Sequence, residues 1–150
     1  MINNIDRDFL LERYRYILAQ KQNLNESTFK VSAVYQALLG AVGIAQFNIC
    51  QAFFEKKMAA NISLVFSSAT LIFFLLSSVF VLVLMVSGVR SWIGYRQEEA
   101  QIESQVFKKS RALPKVKNLL FWYETYIIFF IVVLSIFAVL LYLYYIFPLF

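Results

Sequence analysis

The sequence predicts an all-α membrane protein: an N-terminal amphipathic helix, three transmembrane helices, and a cytoplasmic helix between the second and third spans. Composition is the first reason. The 150 residues are 61% hydrophobic and 15% charged, whereas soluble domains run about 45–50% apolar and about 25% charged. Segment length is the second: three apolar stretches each exceed the about 20 residues that a bilayer crossing needs. The third is size, because a chain this short has too little polar surface to cover such runs in water.

Composition also excludes chemistry. There is no histidine and one cysteine, Cys50. A disulfide framework, a His/Cys zinc centre and imidazole catalysis are therefore ruled out, and no cofactor or metal is expected. The net charge is +5. Its cations flank the apolar runs, so they are read as setting membrane orientation, and no direct nucleic-acid binding is expected.

Residues 1–30 are polar and lack the central apolar run and cleavage site of a signal peptide. Asp6 is placed as a helix N-cap, and Phe9, Leu10, Tyr14, Ile17 and Leu18 follow on one helical face. The cap and turn formers of 23–28 (NLNEST) predict a break or a bend before the first span. That span covers 31–54. A short turn at 55–61 implies an antiparallel hairpin with the second span, 62–89. The connection 90–118 begins with good helix formers over 96–110, so the second helix is expected to run on beyond the membrane. Pro114 resets the chain before the third span, 119–147. The segments are thus 1–30, 31–89, 90–118 and 119–150.

Five Lys and Arg lie in 1–30 and seven in 90–118, against two in the hairpin turn. The positive-inside rule then places the N-terminus in the cytoplasm and the C-terminus on the far side of the membrane. Trp92, Tyr95, Trp122, Tyr123 and Tyr126 read as one interfacial aromatic belt, and Tyr142, Tyr144 and Tyr145 as the other.

At 100° per residue, Ser32, Gln36, Gly40, Gly43, Gln46 and Cys50 form one stripe on the first span. Polar side chains avoid acyl chains, so the stripe faces protein or water. It either packs against another helix or lines a pore built from several copies. The second span has Ser63, Ser67, Thr70, Ser77 and Gly88, interrupted by Phe74 and Val81. The third span is almost wholly apolar and reads as the outer helix. No charge lies deep in any span, which disfavours an ion-coupled transporter. Glu124, shallow in the third span, reads as an interfacial carboxylate. Arg13, Arg15, Lys21, Arg96, Glu99 and Glu103 form a candidate platform for a cytoplasmic protein partner or a small-molecule trigger.

The run ERYRYILAQKQNLN (12–25), the lead-in TFKV (28–31) and the close hairpin together resemble small bacterial SLATT-type membrane effectors. The resemblance is one of layout and covers 12–111. It implies a homo-oligomeric, non-enzymatic protein that permeabilises membranes in antiphage defence. Two other readings stay open: a membrane anchor or sensor subunit that recruits a soluble partner, and a small lipid kinase. The kinase reading rests on a layout similar to bacterial diacylglycerol kinase, with Glu98, Glu99, Glu103 and Glu124 as its only carboxylates near the interface.

Overall fold

The computed structural model describes residues 4–106 and 122–150. Every described element is helical: α1 (Asn4–Phe54), α2 (Ala60–Val106), α3 (Tyr123–Leu141), a π-helical turn (Tyr142–Ile146) and a 3₁₀ turn (Phe147–Leu149). Among the described residues three helices are long and apolar enough to cross a membrane, as in a multi-pass membrane protein. Pro114, the helix end expected at 107–110, the start of the third span at 119–121 and the cations Lys108, Lys109, Arg111, Lys115 and Lys117 lie outside the described residues.

Residues 23–28 do not break the helix. α1 is one helix of 51 residues, and Asp6 lies inside it rather than capping it. The reason is visible in the burial pattern. Leu10, Tyr14, Ile17, Lys21, Leu24 and Thr28 are buried or half-buried at alternating steps of four and three residues. Leu24 and Thr28 are therefore packing positions, and the exposed Asn23, Asn25 and Ser27 between them each cost no more than about 0.7 kcal/mol of propensity. The Thr28 hydroxyl donates back to the Leu24 carbonyl at 3.0 Å, and Gln22 donates to Glu26 one turn on. α2 likewise runs unbroken from Ala60 to Val106, so the second helix does continue well past residue 89.

The chain divides into two compact units, one of Met1–Lys30 with Met85–Tyr126, the other of Val31–Leu84 with Ile127–Phe150. In the second unit the same four-and-three spacing marks each inward face. On α1 it is Tyr35, Leu39, Val42, Gln46, Ile49 and Phe53. On α2 it is Ser67, Leu71, Phe74, Ser78 and Val81, all buried. On α3 and the π-turn that continues it, it is Ile131, Ser135, Ala138 and Tyr142. This 3.5-residue repeat is the seam of knobs-into-holes packing. Phe74 and Val81 are thus seam residues rather than interruptions, and Ser78 takes the buried position in place of its neighbour Ser77. α3 and the π-turn after it leave most of their large apolar side chains exposed, from Phe129 to Tyr145.

The hairpin turn closes α1 with a Schellman arrangement. Lys57 N–H donates to the Ala52 carbonyl and Lys56 N–H to the Phe53 carbonyl, each at 2.9 Å. Lys56 sits in the left-handed region at φ 59°, a position that glycine usually fills. At the far end Pro148 has no N–H for the Tyr144 carbonyl. The helix widens there, and the Phe147 N–H reaches back five residues to the Tyr142 carbonyl.

Candidate functional site

The second unit holds a polar cluster at membrane depth, built from Gln46 and Cys50 of α1, Ser67 of α2 and Tyr142 of the π-turn that follows α3. Tyr142, at the start of the π-turn, donates its hydroxyl to Gln46 Oε1 at 2.9 Å. Gln46 Nε2 donates to Ser67 Oγ at 3.0 Å and to Cys50 Sγ at 3.4 Å. The amide therefore uses its oxygen and both its hydrogens inside the chain. Tyr142 is 6% exposed, so it is a core residue and not part of an aromatic belt. Tyr144 and Tyr145 remain exposed. A second polar contact ties α1 to α2: the Ser78 hydroxyl donates to the Phe74 carbonyl at 2.9 Å, which leaves Tyr35 to donate to Ser78 Oγ at 3.0 Å. Gln46 with Ser67 and Tyr35 with Ser78 are successive rungs of one antiparallel pair.

Beside this cluster runs a groove of about 280 Å³. Leu39, Val42, Gly43 and Gln46 of α1 form one wall, Leu134, Phe137, Ala138 and Leu141 of α3 the other, and Phe74 and Tyr142 complete it. Its lining is apolar except where Gln46 and Tyr142 meet.

The stripe expected on the first span is split by this geometry. Its axis lies on the flank of α1, between the inward seam and the outer face. Gln46 turns inward, Cys50 and Ser32 are half-buried, and Gly43 borders the groove. Gln36 and Gly40 face outward, in company with Ala33 and Ala37. A Cβ added at Gly40 or Gly43 would meet nothing within 4 Å, so neither glycine mediates a close approach inside this chain. Of the second-span residues, Ser63 and Ser67 are fully buried. The Oγ atoms of Ser32 and Ser63 have no hydrogen-bond partner among the described residues. Thr70 and Ser77 lie half-buried off the seam, and Thr70 bonds back to the Phe66 carbonyl.

The first unit gathers the expected platform charges and uses most of them internally. Glu99, 3% exposed, accepts from Lys21 at 2.8 Å and from Arg96 at 2.6 Å. Arg13 pairs with Glu98 at 2.9 Å, and Tyr14 donates to Glu103 at 3.2 Å. Lys21 also stands 5.0 Å from the centre of the Trp92 ring, and Trp92 meets Trp122 edge to face at 4.2 Å. Arg15 is exposed. Burial pushes the Glu99 carboxyl up, but the hydrogen bonds and charges of Lys21 and Arg96 outweigh it. Together they hold the group below its ordinary value of 4.5. The platform is thus a cross-braced helical unit rather than a set of free charges.

Glu98, Glu99 and Glu103, the carboxylates that a metal–nucleotide site would need, each have a partner of their own, and Glu124 is half-buried beside Tyr123. Among the described residues no three His, Cys, Asp or Glu side chains come together as a metal site. Sequence reasoning missed Tyr35, Ser78 and Tyr142 as interhelical contacts. The four-and-three spacing was the signal that marks them. No protein-family model, curated protein or solved structure matches the chain.

Proposed function

We propose that this protein is a non-catalytic effector of a bacterial inner membrane, with its N-terminus cytoplasmic and its C-terminus periplasmic. Copies associate through the outer face of α1, and a stimulus at the helical platform turns that association into a leak, in keeping with a role in antiphage defence. The supporting observation is Gln36. It is exposed within a membrane-spanning stretch, without a hydrogen-bond partner among the described residues, on a face shared with Ala33, Ala37 and Gly40. An amide turned to acyl chains is unfavourable, whereas small residues let a second helix approach and give the amide a partner. A ring of such helices brings neutral amides together, which suits a weakly selective water-filled passage.

Withdrawal of Gln46 into the chain favours a second reading. If the deepest amide serves only packing, the assembly is a dry anchor that holds a soluble partner on its platform. Dye-loaded liposomes separate the two. Release by the wild-type protein, lost in Gln36→Leu with the fold retained, supports the effector. An intact oligomer that stays dry even when the purified protein is triggered by its cell extract supports the anchor. A monomer in both detergent and bilayer overturns the effector reading, which requires several copies.

A further inference from the structure

We propose that the groove between α1 and α3 is a binding site for the distal part of one phospholipid acyl chain. All of its lining residues belong to the second unit. Its walls are consecutive helical turns, Leu39 to Gln46 on α1 and Leu134 to Leu141 on α3. Each is an advance of about seven residues, or about 10 Å, so the groove runs along the helix axes.

Depth decides what the groove meets. Leu39 lies nine residues past Lys30 and Gln46 nine residues before Glu55, and no Lys, Arg, Asp or Glu falls between those two charges. The groove is centred in this uncharged stretch, about 13 Å along the helix from each charge. There a bilayer holds hydrocarbon and no headgroup. Size then selects the occupant. An apolar cavity of about 150 Å³ stays dry and takes benzene, so a groove of about 280 Å³ has room for about eleven carbons. Strung along the helix axes, they make one chain. A helix is a cylinder about 10 Å across, several times that volume over the same length, so a span of a second copy does not enter. The lining suits hydrocarbon. Leu39, Val42, Leu134 and Phe137 are apolar, and the two polar side chains turn to each other, Tyr142 donating to Gln46 at 2.9 Å. Gly43 keeps the α1 wall low, since a Cβ there would meet nothing within 4 Å. Unfilled, the walls forfeit dispersion contacts along their length, which an acyl chain restores.

The test uses the full-length protein in detergent with one equivalent of a phosphatidylcholine that carries a diazirine at the end of one acyl chain. Photolysis and mass spectrometry map the adducts. Those on Leu39, Leu134 and Ala138 are expected to exceed those on the exposed Val79, Phe80 and Val83 of α2 by at least about tenfold, equal to about 1.4 kcal/mol of preference. A diazirine beside the ester should miss the groove. Gly43→Leu fills the space and should reduce the groove adducts at least about tenfold. Gly43→Ala adds one methyl group and should reduce them by a smaller factor, which keeps the test open if leucine impairs folding. Ala41→Leu, at an exposed position outside the groove, should leave them unchanged. Even labelling of all exposed apolar faces would mean ordinary solvation by lipid and overturn the site. So would groove labelling that both Gly43 variants leave intact, or labelling by the ester-proximal probe alone. A groove that stays unlabelled while Gly43→Leu alters the oligomer would also overturn it, since side chains of a second copy then fill the space.

Discussion

Lys56 holds a left-handed backbone that its Cβ disfavours by about 1–2 kcal/mol. Replacing it with glycine relieves that strain while keeping the two carbonyl-capping bonds. Lys56→Gly is therefore expected to stabilise the hairpin by about 0.5–1 kcal/mol, as a raised thermal midpoint in detergent. Gln46 behaves in the opposite way. Leucine in its place strands the Tyr142 and Ser67 hydroxyls, and interhelical hydrogen bonds in membranes are worth about 0.6 kcal/mol each, rarely more than about 1.7. Gln46→Leu should thus cost about 1–2 kcal/mol of monomer stability, with Tyr142→Phe costing a smaller part of it. The loss would appear in steric-trap unfolding or as a lowered thermal midpoint. Gln36→Leu should leave monomer stability within about 0.5 kcal/mol and act only on association. Equal losses at the two glutamines would contradict their opposite placement. Residue type alone did not reveal this difference, because both are glutamines on one flank of the same helix. The split depends on the π-turn after α3, whose Tyr142 comes from nearly a hundred residues away and reaches only one of them.

At the scale of the helices, the existence and order of the three spans were legible in their apolar length. So was the tight hairpin, from the few residues left between two such runs. The break at 23–28 was misread because Asn, Ser and Glu report local preference, whereas the decisive residues there are Leu24 and Thr28 on the packing seam. The same cause hid the α2 face: a 100° wheel drifts away from a seam that repeats every 3.5 residues, so Phe74 and Val81 looked like interruptions. In the first unit the helices are joined through charge, and Glu99 is the residue most exposed to that dependence. Glu99→Ala leaves Lys21 and Arg96 partly buried without a counter-charge and should cost about 3 kcal/mol, a value typical of breaking such a pair. The pH effect has a definite sign. The folded carboxyl is held below its ordinary value of 4.5, so its stabilisation is complete above that value and is lost as pH falls through the lowered one. A pH titration of amide exchange in this unit should show protection falling below about pH 4.5 in the wild type. In Glu99→Gln this part of the pH dependence should be absent.

For the whole molecule, the sequence revealed a membrane protein and the residue classes from which its sites are made. It did not reveal which polar groups the chain would satisfy by itself. Gln46, Tyr35 and most of the platform charges are consumed internally, whereas Gln36, Arg7, Arg15, Lys30 and Arg90 are exposed without an ion pair or side-chain hydrogen bond among the described residues. Of these leftovers, Gln36 is the one on which the proposed association rests. The placement of Trp92 and Trp122 has an optical consequence. They are the chain's only tryptophans, they touch edge to face, and both belong to the first unit. Excitation at the red edge of the indole band therefore interrogates that unit alone. Emission under such excitation is a ready-made gauge of whether a stimulus reaches the platform, with no label attached, and it stays blind to substitutions around Gln46 unless the disturbance travels along a helix.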